Sequence, residues 1–287
     1  MESFETYRSY LFAIAYRMLG SAMDAEDMVQ ETYLRYQTTP PETILSPKAF
    51  LTTIITRLCM DQLHLARRQR ELYVGPWLPE PISTTEAPEL ASVEERVDKE
   101  ESISLAFLVL LEQLQPMERA VFLLREVFEY DYAEIATFLS KSEAACRQAF
   151  SRAKKHLSEH RPRFPASLDT QRQLLTSFQQ AVNAGEMTTL MNLLAEDVTF
   201  WADGGGKVKG AATRPIYGRE AVARFSLGAT RRFLPEGYRT ELEEVNGQPA
   251  LVVRAGDRAF LVLTIEVQED QIRAVRIIAN PEKLAHV

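Results

Sequence analysis

Cysteine and histidine are scarce in this sequence of 287 residues. The two cysteines, Cys59 and Cys146, lie far apart inside helix-like segments, and neither has a second Cys or His at metal-ligand spacing. We therefore expect two small buried side chains, and neither a disulfide framework nor a zinc site. The sequence indicates no metal and no cofactor.

Long apolar runs are also missing. The longest, Leu105–Leu111, has seven residues, whereas a membrane-spanning helix needs about 20. The first ten residues, MESFETYRSY, lack the basic and then apolar pattern of an export signal. These absences predict a cytoplasmic protein with no membrane partner. The hydrophobic content of 46% is nevertheless enough to bury the cores of more than one domain.

Charge is distributed unevenly along the chain, whose formal net charge is -7. Residues 24–31 carry four acids and no base, whereas residues 141–163 carry seven Lys or Arg against two Glu. A smaller basic run closes an earlier helix-like segment. Because a sum over the chain conceals such local fields, the acidic total does not exclude nucleic acid as a partner.

Apolar residues recur at helical spacing from residue 4 to about residue 73. The first predicted helix ends at Gly20, and the second runs from about Asp24 to Tyr36. The third begins with Ser46 as its N-cap and Pro47 at the first helical position. Four prolines between residues 74 and 88 then favour an extended linker over residues 74–98. Helices resume from about residue 97.

A helix-turn-helix is predicted between residues 131 and 157. Asp131 and Glu134 form a capping box before a short helix that ends at Leu139, and a longer helix begins at Glu143. An apolar stripe on the longer helix is expected to pack inward, at Cys146, Phe150, Ala153 and Leu157. On the opposite face we expect base readers and phosphate contacts: Arg147, Gln148, Ser151, Arg152, Lys154 and Lys155. The alternative is a solvated basic face on an ordinary bundle helix.

Three stretches of the sequence carry a resemblance to a known family. They read FETYRSYLFAIAYRMLGSAMDAEDMVQETYLRY, SPKAFLTTIITRLCMDQLHLARRQR and ERAVFLLREVFEYDYAEIATFLSKSEAACRQAFSRAKKHL. In this order and spacing they resemble regions 2 and 4 of the sigma-70 family, in its extracytoplasmic-function (ECF) class. The resemblance implies region 2 at 1–73, a linker at 74–98, and region 4 at 99–163. It also implies two partners, core RNA polymerase and promoter DNA.

The same resemblance nominates two sets of residues in region 2. The acidic second helix matches the surface for core polymerase, at Asp24, Glu26, Asp27, Gln30 and Glu31, with a solvated helix face as the alternative. The loop 40–46 and the next helix match the part that opens the minus-10 element, with candidate contacts at Lys48, Arg57, Arg67, Arg68 and Arg70. Many family members have Asn where Arg57 stands, and Arg57 could equally pair with Asp61 one turn later.

The remaining residues, 168–287, predict an α+β domain. Two helices, the first ended by Gly185, precede the strand-like VTFW; a short helix after Gly218 precedes strands separated by Asn246-Gly247 and Gly256-Asp257. We expect helices packed into a curved antiparallel sheet, and the order resembles SnoaL-like domains. The fold class is thus two all-α domains followed by an α+β cone.

Pocket chemistry in such a cone needs a positioned acid or base. None of the four histidines lies in the body of this domain, and Asp203 is the one attractive carboxylate, with Trp201, Tyr217 and Arg254 as further pocket candidates. We expect no enzyme and instead a domain that modulates the sigma factor in cis. A separate anti-sigma factor and a small ligand both stay open.

Three short motifs support that expectation. The segment DGGGK resembles half of a phosphate loop, but Val208 follows its lysine and no helix begins there. One ECF subgroup carries WLPEP-type, DGGGK-type and NPDKL-type motifs, and here they stand as Trp77, Leu78, Pro79, Glu80, Pro81; Asp203, Gly204, Gly205, Gly206, Lys207; and Asn280, Pro281, Glu282, Lys283, Leu284. The alternative is that the three glycines only form a mobile hairpin turn.

We expect the C-terminal domain to dock on the linker and the two helical domains, with Lys207 able to pair with an acid such as Glu80. The predicted function is an ECF-type sigma factor that directs promoter-specific initiation. The alternative is a helix-turn-helix regulator with a small-molecule-sensing or enzymatic SnoaL-like domain. Such a regulator would bind duplex DNA without polymerase.

Overall fold

A computed structural model describes residues 4–84, 103–160 and 166–287. The chain divides into two compact units. The helical unit combines residues 1–71 and 86–161, and the α+β unit combines residues 72–85 and 162–287. The first half of the predicted linker therefore belongs to the α+β unit, while its residues 85–98 lie outside the described part of the chain.

The first half of the helical unit has three helices, which are α1 (Glu5–Leu19), α2 (Ala22–Thr38) and α3 (Pro47–Glu71). Gly20 ends α1 in the left-handed conformation, with φ of 69°. The Ser21 hydroxyl accepts a hydrogen bond from the Asp24 amide and so caps α2. A short 3-10 turn at Pro41–Thr43 precedes α3. These helices confirm the predicted ones, including the predicted start of α3 at Pro47.

The second half has four described helices, which are α4 (Leu105–Leu111), α5 (Pro116–Phe122), α6 (Tyr132–Leu139) and α7 (Glu143–His160). A π-helical segment, Leu123–Val127, continues α5. The capping box of α6 is formed as predicted, since Asp131 accepts from the Glu134 amide at 2.8 Å and Glu134 accepts from the Asp131 amide at 3.0 Å. The turn between α6 and α7 passes through Ser140 with φ of 52°, and the helix-turn-helix is confirmed.

The α+β unit has three helices, which are α8 (Leu168–Ala184), α9 (Met187–Leu193) and α10 (Arg219–Phe233). Its strands are β1 (Leu194–Asp203), β2 (Ile216–Tyr217), β3 (Arg239–Val245), β4 (Gln248–Ala255), β5 (Arg258–Gln268) and β6 (Gln271–Ile278). The helices pack on the sheet over a core that includes Phe178, Phe200, Val222 and Val275. The α+β fold class is confirmed, although α10 is longer than predicted and β2 was not predicted.

The six strands form one sheet in the order β2-β1-β6-β5-β4-β3. The predicted antiparallel pairing of the strands from β3 to β6 is confirmed, whereas β1 and β6 pair in parallel, with Asp203 opposite Ile278, which the prediction of an antiparallel sheet did not include. Both predicted turns join their strands, and a third turn at Glu269 and Asp270 uses positive φ angles of 52° and 58° without glycine. Register shifts along three of the strand pairs mark bulges, which bend a sheet.

Both cysteines are buried and make no disulfide bond. Among residues 4–84, 103–160 and 166–287, no three His, Cys, Asp or Glu side chains are grouped as metal ligands. Within the same ranges, no helix has both the length and the apolar character needed to cross a bilayer.

Candidate functional site

The linker residues 78–84 are buried within the α+β unit. Leu78 is 2% exposed, Glu80 6% and Ile82 4%. Ser83 pairs with Val245 as a single antiparallel bridge, its amide donates to the His286 carbonyl at 2.9 Å, and the Thr84 amide donates to the Glu244 carbonyl at 3.1 Å. The segment thus extends the β3 edge of the sheet by main-chain hydrogen bonds, the manner in which sheets bind extended peptides.

The turn between β3 and β4 also holds the linker. The Asn246 side chain accepts from the Ile82 amide at 3.0 Å, and the Asn246 amide donates to the Ile82 carbonyl at 2.9 Å. The Gly247 amide donates to the Thr84 hydroxyl at 3.2 Å. The dipeptide Asn246-Gly247 was predicted only as a turn, and its contacts with the linker backbone were missed because turn chemistry alone explains both residues.

Asp203, at the end of β1, is the centre of the contact and is fully buried. Its carboxylate accepts four hydrogen bonds, from the Tyr73 hydroxyl at 2.5 Å, the Leu78 amide at 2.8 Å, the Gly205 amide at 3.1 Å and the Lys283 ammonium at 2.7 Å. Such charge-assisted bonds are stronger than neutral ones. Asp203 therefore connects the linker, the glycine loop and the C-terminal motif.

Lys283 approaches the same point from the NPEKL motif. Its ammonium donates to the Leu78 carbonyl at 2.5 Å and lies 4.0 Å from the centroid of the Trp77 ring, a cation–π contact. The Asn280 side-chain amide donates to the Tyr73 hydroxyl at 2.9 Å. Burial and the hydrogen bond to Asp203 raise the pKa of Tyr73 well above its usual range. We call this group, Tyr73, Trp77, Leu78, Asp203, Asn280 and Lys283, the linker clamp.

The glycines of DGGGK permit the close packing at the clamp. At Gly205, with φ of 57°, an added methyl carbon would lie 2.5 Å from the Asn280 amide nitrogen and 3.0 Å from the Tyr73 hydroxyl. At Gly206, with φ of 71°, it would lie 3.0 Å from Val74. The expected pairing of Lys207 with Glu80 is wrong, because Lys207 forms an ion pair with Glu282 at the surface while Glu80 is buried. Lys283 is the lysine that contacts the linker.

All six candidate DNA contacts of α7 are exposed: Arg147, Gln148, Ser151, Arg152, Lys154 and Lys155. Arg147 pairs with Glu143 at 2.6 Å and Arg152 with Glu118 at 2.7 Å. The opposite face packs inward as predicted, except that Phe150 is only partly buried and Ala149 is buried instead. The result is a continuous basic and polar surface on the second helix of the helix-turn-helix.

The minus-10 candidates on α3 have varied surroundings. Lys48 is exposed, with its ammonium 4.8 Å from the Tyr10 ring centroid. Arg70 pairs with Glu112 and donates to the Leu19 carbonyl at 3.0 Å. The side chains of Arg67 and Arg68 lie outside the described residues. Next to this helix, Leu45 is 99% exposed, and no sequence signal singled it out.

Arg57 makes contacts that neither interpretation predicted. Its guanidinium donates to the Phe138 carbonyl at 2.9 Å, the Thr137 carbonyl at 3.3 Å and the Ser140 hydroxyl at 2.8 Å. These groups form the C-terminal end of α6, where a cation is favoured by the unpaired carbonyls and the helix dipole. The suggested partner Asp61 is therefore not the one that Arg57 uses.

Further contacts join the first three helices to the helix-turn-helix half of the helical unit. The Tyr130 hydroxyl lies 2.5 Å from that of Tyr10 and 3.1 Å from that of Thr52. Arg119 is buried and donates to the Met18 carbonyl at 2.7 Å. The two halves of the helical unit are thus packed together and held by specific polar contacts.

The acidic helix α2 presents an exposed stripe with apolar ends. Met23, Asp27, Gln30 and Leu34 stand at i, i+4, i+7 and i+11 and so lie on one face of the helix. Asp27 and Gln30 are exposed, and Met23 and Leu34 are 52% and 56% exposed. Only the polar members were predicted from the sequence, and Met23 and Leu34 add two exposed apolar side chains to the same face. Asp24 is partly buried and accepts from Gln62 at 3.4 Å, and Glu31 pairs with Arg35. Glu26 is exposed.

Comparison with known proteins gives consistent matches. The family described as Sigma-70 region 2 matches residues 3–71, and Sigma-70, region 4 matches residues 104–157. The sequence is 36% identical to ECF RNA polymerase sigma factor SigJ of Mycobacterium tuberculosis, over 99% of this chain and 92% of that protein. It is 28% identical to the probable ECF RNA polymerase sigma factor SigI of the same organism, over 98% and 93%.

The crystal structure of the M. tuberculosis extracytoplasmic function sigma factor SigJ is also similar. It matches with a TM-score of 0.77 and 35% identity, over 99% of this chain and 97% of that chain. The similarity therefore extends through the α+β unit and is not confined to the helices.

Proposed function

This chain belongs to the ECF family of RNA polymerase sigma factors, and we propose that its C-terminal α+β domain regulates it in cis through the linker clamp. As a sigma factor it acts with core RNA polymerase at promoter DNA. We place it in the cytoplasm, where its polymerase works. The observation that carries the regulatory proposal is the burial of Leu78, Ile82 and their neighbours inside the α+β unit.

The exposed face of α7 supports its assignment as the minus-35 reader. The start of the second helix of a helix-turn-helix enters the major groove, and phosphate contacts flank it. Arg147 and Gln148 lie in the first turns of α7, and Lys154 and Lys155 lie two turns later. Arg147→Ala is expected to reduce discrimination at the minus-35 element, whereas Lys155→Ala weakens binding to all sequences alike.

The exposed stripe on α2 is our candidate for the core polymerase contact. Helix faces that bind a partner helix combine apolar anchors with charged neighbours. Met23 and Leu34 supply the anchors, and Asp27 and Gln30 lie between them. Leu34→Ala is expected to weaken binding to core polymerase more than Asp27→Ala does, because the apolar anchor is desolvated on binding.

The packed helical unit represents a closed form that promoter binding must open. Elements centred at minus 35 and minus 10 lie about 25 base pairs apart, or about 85 Å along the duplex at about 3.4 Å per base pair. A compact unit of about 150 residues has a radius of gyration of about 15 Å. Two readers packed into such a unit cannot reach both elements, so the contacts of Arg57 and Tyr130 must break.

The linker clamp acts on this opening through the connection between α3 and α4. That connection starts after Glu71 and ends before Leu105, and the clamp fixes the path of its residues 73–84. A segment that is fixed no longer contributes its full length to separating the two readers. Release of the clamp therefore changes how readily the sigma factor occupies both promoter elements.

The buried position of Asp203 favours regulation over catalysis. A general acid or base must reach a substrate proton, whereas this carboxylate already accepts four hydrogen bonds and is fully buried. A sigma factor is not an enzyme, and we propose that the α+β domain has no catalytic activity of its own.

Run-off transcription with purified core polymerase tests the proposal. A promoter selected from randomised minus-35 and minus-10 elements should yield a transcript only with both polymerase and this chain. Trp77→Ala should change the yield several-fold, and Arg172→Ala, which breaks an exposed pair with Asp169 on α8, should not. Specific binding to duplex DNA without polymerase would instead favour an ordinary helix-turn-helix regulator, and an unchanged yield from Trp77→Ala would contradict the role of the clamp.

A further inference from the structure

The α+β unit contains a cavity of about 130 Å³ between the sheet and the helices α8 and α10. Five phenylalanines line it: Phe178, Phe200, Phe225, Phe233 and Phe260. Phe200 and Phe225 meet edge to face, with ring centroids 5.0 Å apart. Phe233 is 39% exposed and lies where the cavity reaches the surface. Apolar space that a domain leaves unfilled costs stability, so a molecule that filled this cavity would stabilise the domain.

The lining determines the chemistry of that occupant. Within the described residues, no acid, arginine or histidine lines the cavity, and its one charged neighbour, Lys209, is exposed. The hydroxyls of Ser226 and Thr230 donate to carbonyls of their own helix and so leave acceptor oxygens toward the cavity. A cationic ligand would have no counter-ion here and an anionic one only the exposed Lys209, whereas an apolar ligand leaves no charge unpaired.

The volume limits the size of the occupant. An apolar cavity of about 150 Å³ in another protein binds benzene. A cavity of about 130 Å³ therefore suits a molecule about the size of a single aromatic ring. Aromatic rings also gain from edge-to-face contact with phenylalanines such as Phe200 and Phe225.

The cavity shares its wall with the linker clamp. Ala202 and Ala279 line the cavity, and the next residue after each, Asp203 and Asn280, belongs to the clamp. The amides of Ala279 and Asn280 both donate to the Asp203 carbonyl, at 2.8 and 2.9 Å. The carboxyl ends of β1 and β6 are thus fixed together, with the cavity on one side and the linker on the other.

The glycine loop makes a second connection. Its residues Val208 to Ala211 line the cavity, while Gly205 and Gly206 pack against Tyr73 and Val74 of the linker. Gly204, next to Gly205, packs against the part of the loop that lines the cavity. An added methyl carbon at Gly204 would lie 2.6 Å from the Ala211 side chain and 3.3 Å from that of Val208. A movement of the cavity wall at residues 208–211 therefore displaces the part of the loop that contacts the linker.

We propose that this cavity binds a small, uncharged aromatic molecule and that its occupancy strengthens the hold of the linker clamp. Binding stabilises whichever form of the protein has the cavity fully formed. The clamped form fixes Asp203, Asn280 and the loop, and with them the cavity wall. The coupling is reciprocal, so a chain with a loosened clamp binds the molecule less tightly.

Toluene is the probe for this proposal, with the full-length chain as the target. We expect toluene to raise the melting temperature and to slow hydrogen exchange of the amides of Leu78, Ile82 and Ser83, which donate to the α+β unit. At a toluene concentration ten times its Kd, exchange through release of the linker should slow by about tenfold. Trp77→Ala should raise the Kd.

Ala229→Leu and Val182→Phe fill the cavity from opposite helices, and either one that remains folded should lose both effects. Ala221→Leu is the control, because Ala221 is exposed on α10 and does not line this cavity. The proposal is overturned by an unchanged melting temperature in toluene, by equal shifts in the cavity-filling variants, or by a shift without slower linker exchange. None of these measurements uses polymerase or DNA, so their failure is distinguishable from failure of the sigma-factor function.

Discussion

Each of the two units is stabilised internally by contacts of a different kind. In the helical unit, Arg57 is exposed and Arg70 is partly buried, and both donate to carbonyls near helix ends, whereas Arg119, which donates to the Met18 carbonyl, is buried. In the α+β unit, the linker is held by the pair of Asp203 and Lys283, which are 0% and 7% exposed. Solvated pairs are worth little and break easily, whereas buried ones are costly to break. The two halves of the helical unit are thus expected to separate readily, whereas the linker clamp is expected to stay formed until a binding event releases it.

The largest effect should come from breaking the clamp at its centre. Asp203→Asn leaves the Lys283 ammonium buried without its counter-charge, so we expect the free energy of unfolding of the α+β unit to fall by about 3 kcal/mol. Urea denaturation measures this free energy of unfolding. Glu282→Gln, which breaks the exposed pair with Lys207, should change it by less than about 0.5 kcal/mol. Similar losses in both variants would contradict the contrast between buried and exposed pairs.

Local signals in the sequence predicted the elements that local chemistry decides. Gly20 and Gly185 end helices in the left-handed conformation, Pro47 begins α3, and the Asp131–Glu134 capping box begins α6, as predicted. Each of these depends on residues within a few positions of one another. The parallel pairing of β1 with β6 joins residues more than 70 positions apart, and no local pattern specifies it.

The same distinction applies to the site. The three motifs pointed to the clamp, but which lysine would reach the linker was predicted wrongly, because Lys207 and Lys283 differ in burial and not in any sequence pattern. Tyr73 and Asn246 were missed, since an isolated tyrosine before a linker and an Asn-Gly turn have ordinary explanations. The contact of Arg57 with the end of α6 joins residues about 80 positions apart and lay equally beyond sequence reasoning.

The next largest effect is expected from alanine at Gly205, and a matched substitution at Gly256 separates backbone strain from contact with the linker. Gly205→Ala and Gly256→Ala place alanine at φ of 57° and 62°, which costs each about 1 kcal/mol. Only at position 205 does the methyl also meet Asn280 and Tyr73, whereas nothing lies within 4 Å at position 256. We expect Gly205→Ala to lose about 1–2 kcal/mol more in urea denaturation. It should also accelerate hydrogen exchange at Leu78, and equal losses in both variants would show that the linker contact contributes nothing.

A smaller effect is expected from opening the helical unit. Arg57→Ala removes three hydrogen bonds to the end of α6 and should destabilise the closed form by about 1–2 kcal/mol. We expect core polymerase to bind the open form that a two-element promoter requires, so affinity for core polymerase should rise by about 5- to 30-fold. Equilibrium binding to labelled core polymerase measures this, with Arg224→Ala as an exposed control on α10. A role of Arg57 in melting the promoter would appear separately, as reduced open-complex formation at saturating polymerase.

The smallest effect is a pH dependence of the clamp. The pKa of Tyr73 is raised by burial and by its hydrogen bond to Asp203, so the folded chain holds this proton more tightly than the unfolded chain. The contribution of the Tyr73 hydroxyl to stability is therefore fully present below the pKa of tyrosine in the unfolded chain, about 10, and is lost as the pH rises above that value. Tyr73→Phe should cost about 1 kcal/mol at pH 8, and this difference should shrink in urea denaturation above pH 10. A difference that stayed constant across that range would mean that the hydroxyl proton is not held by Asp203.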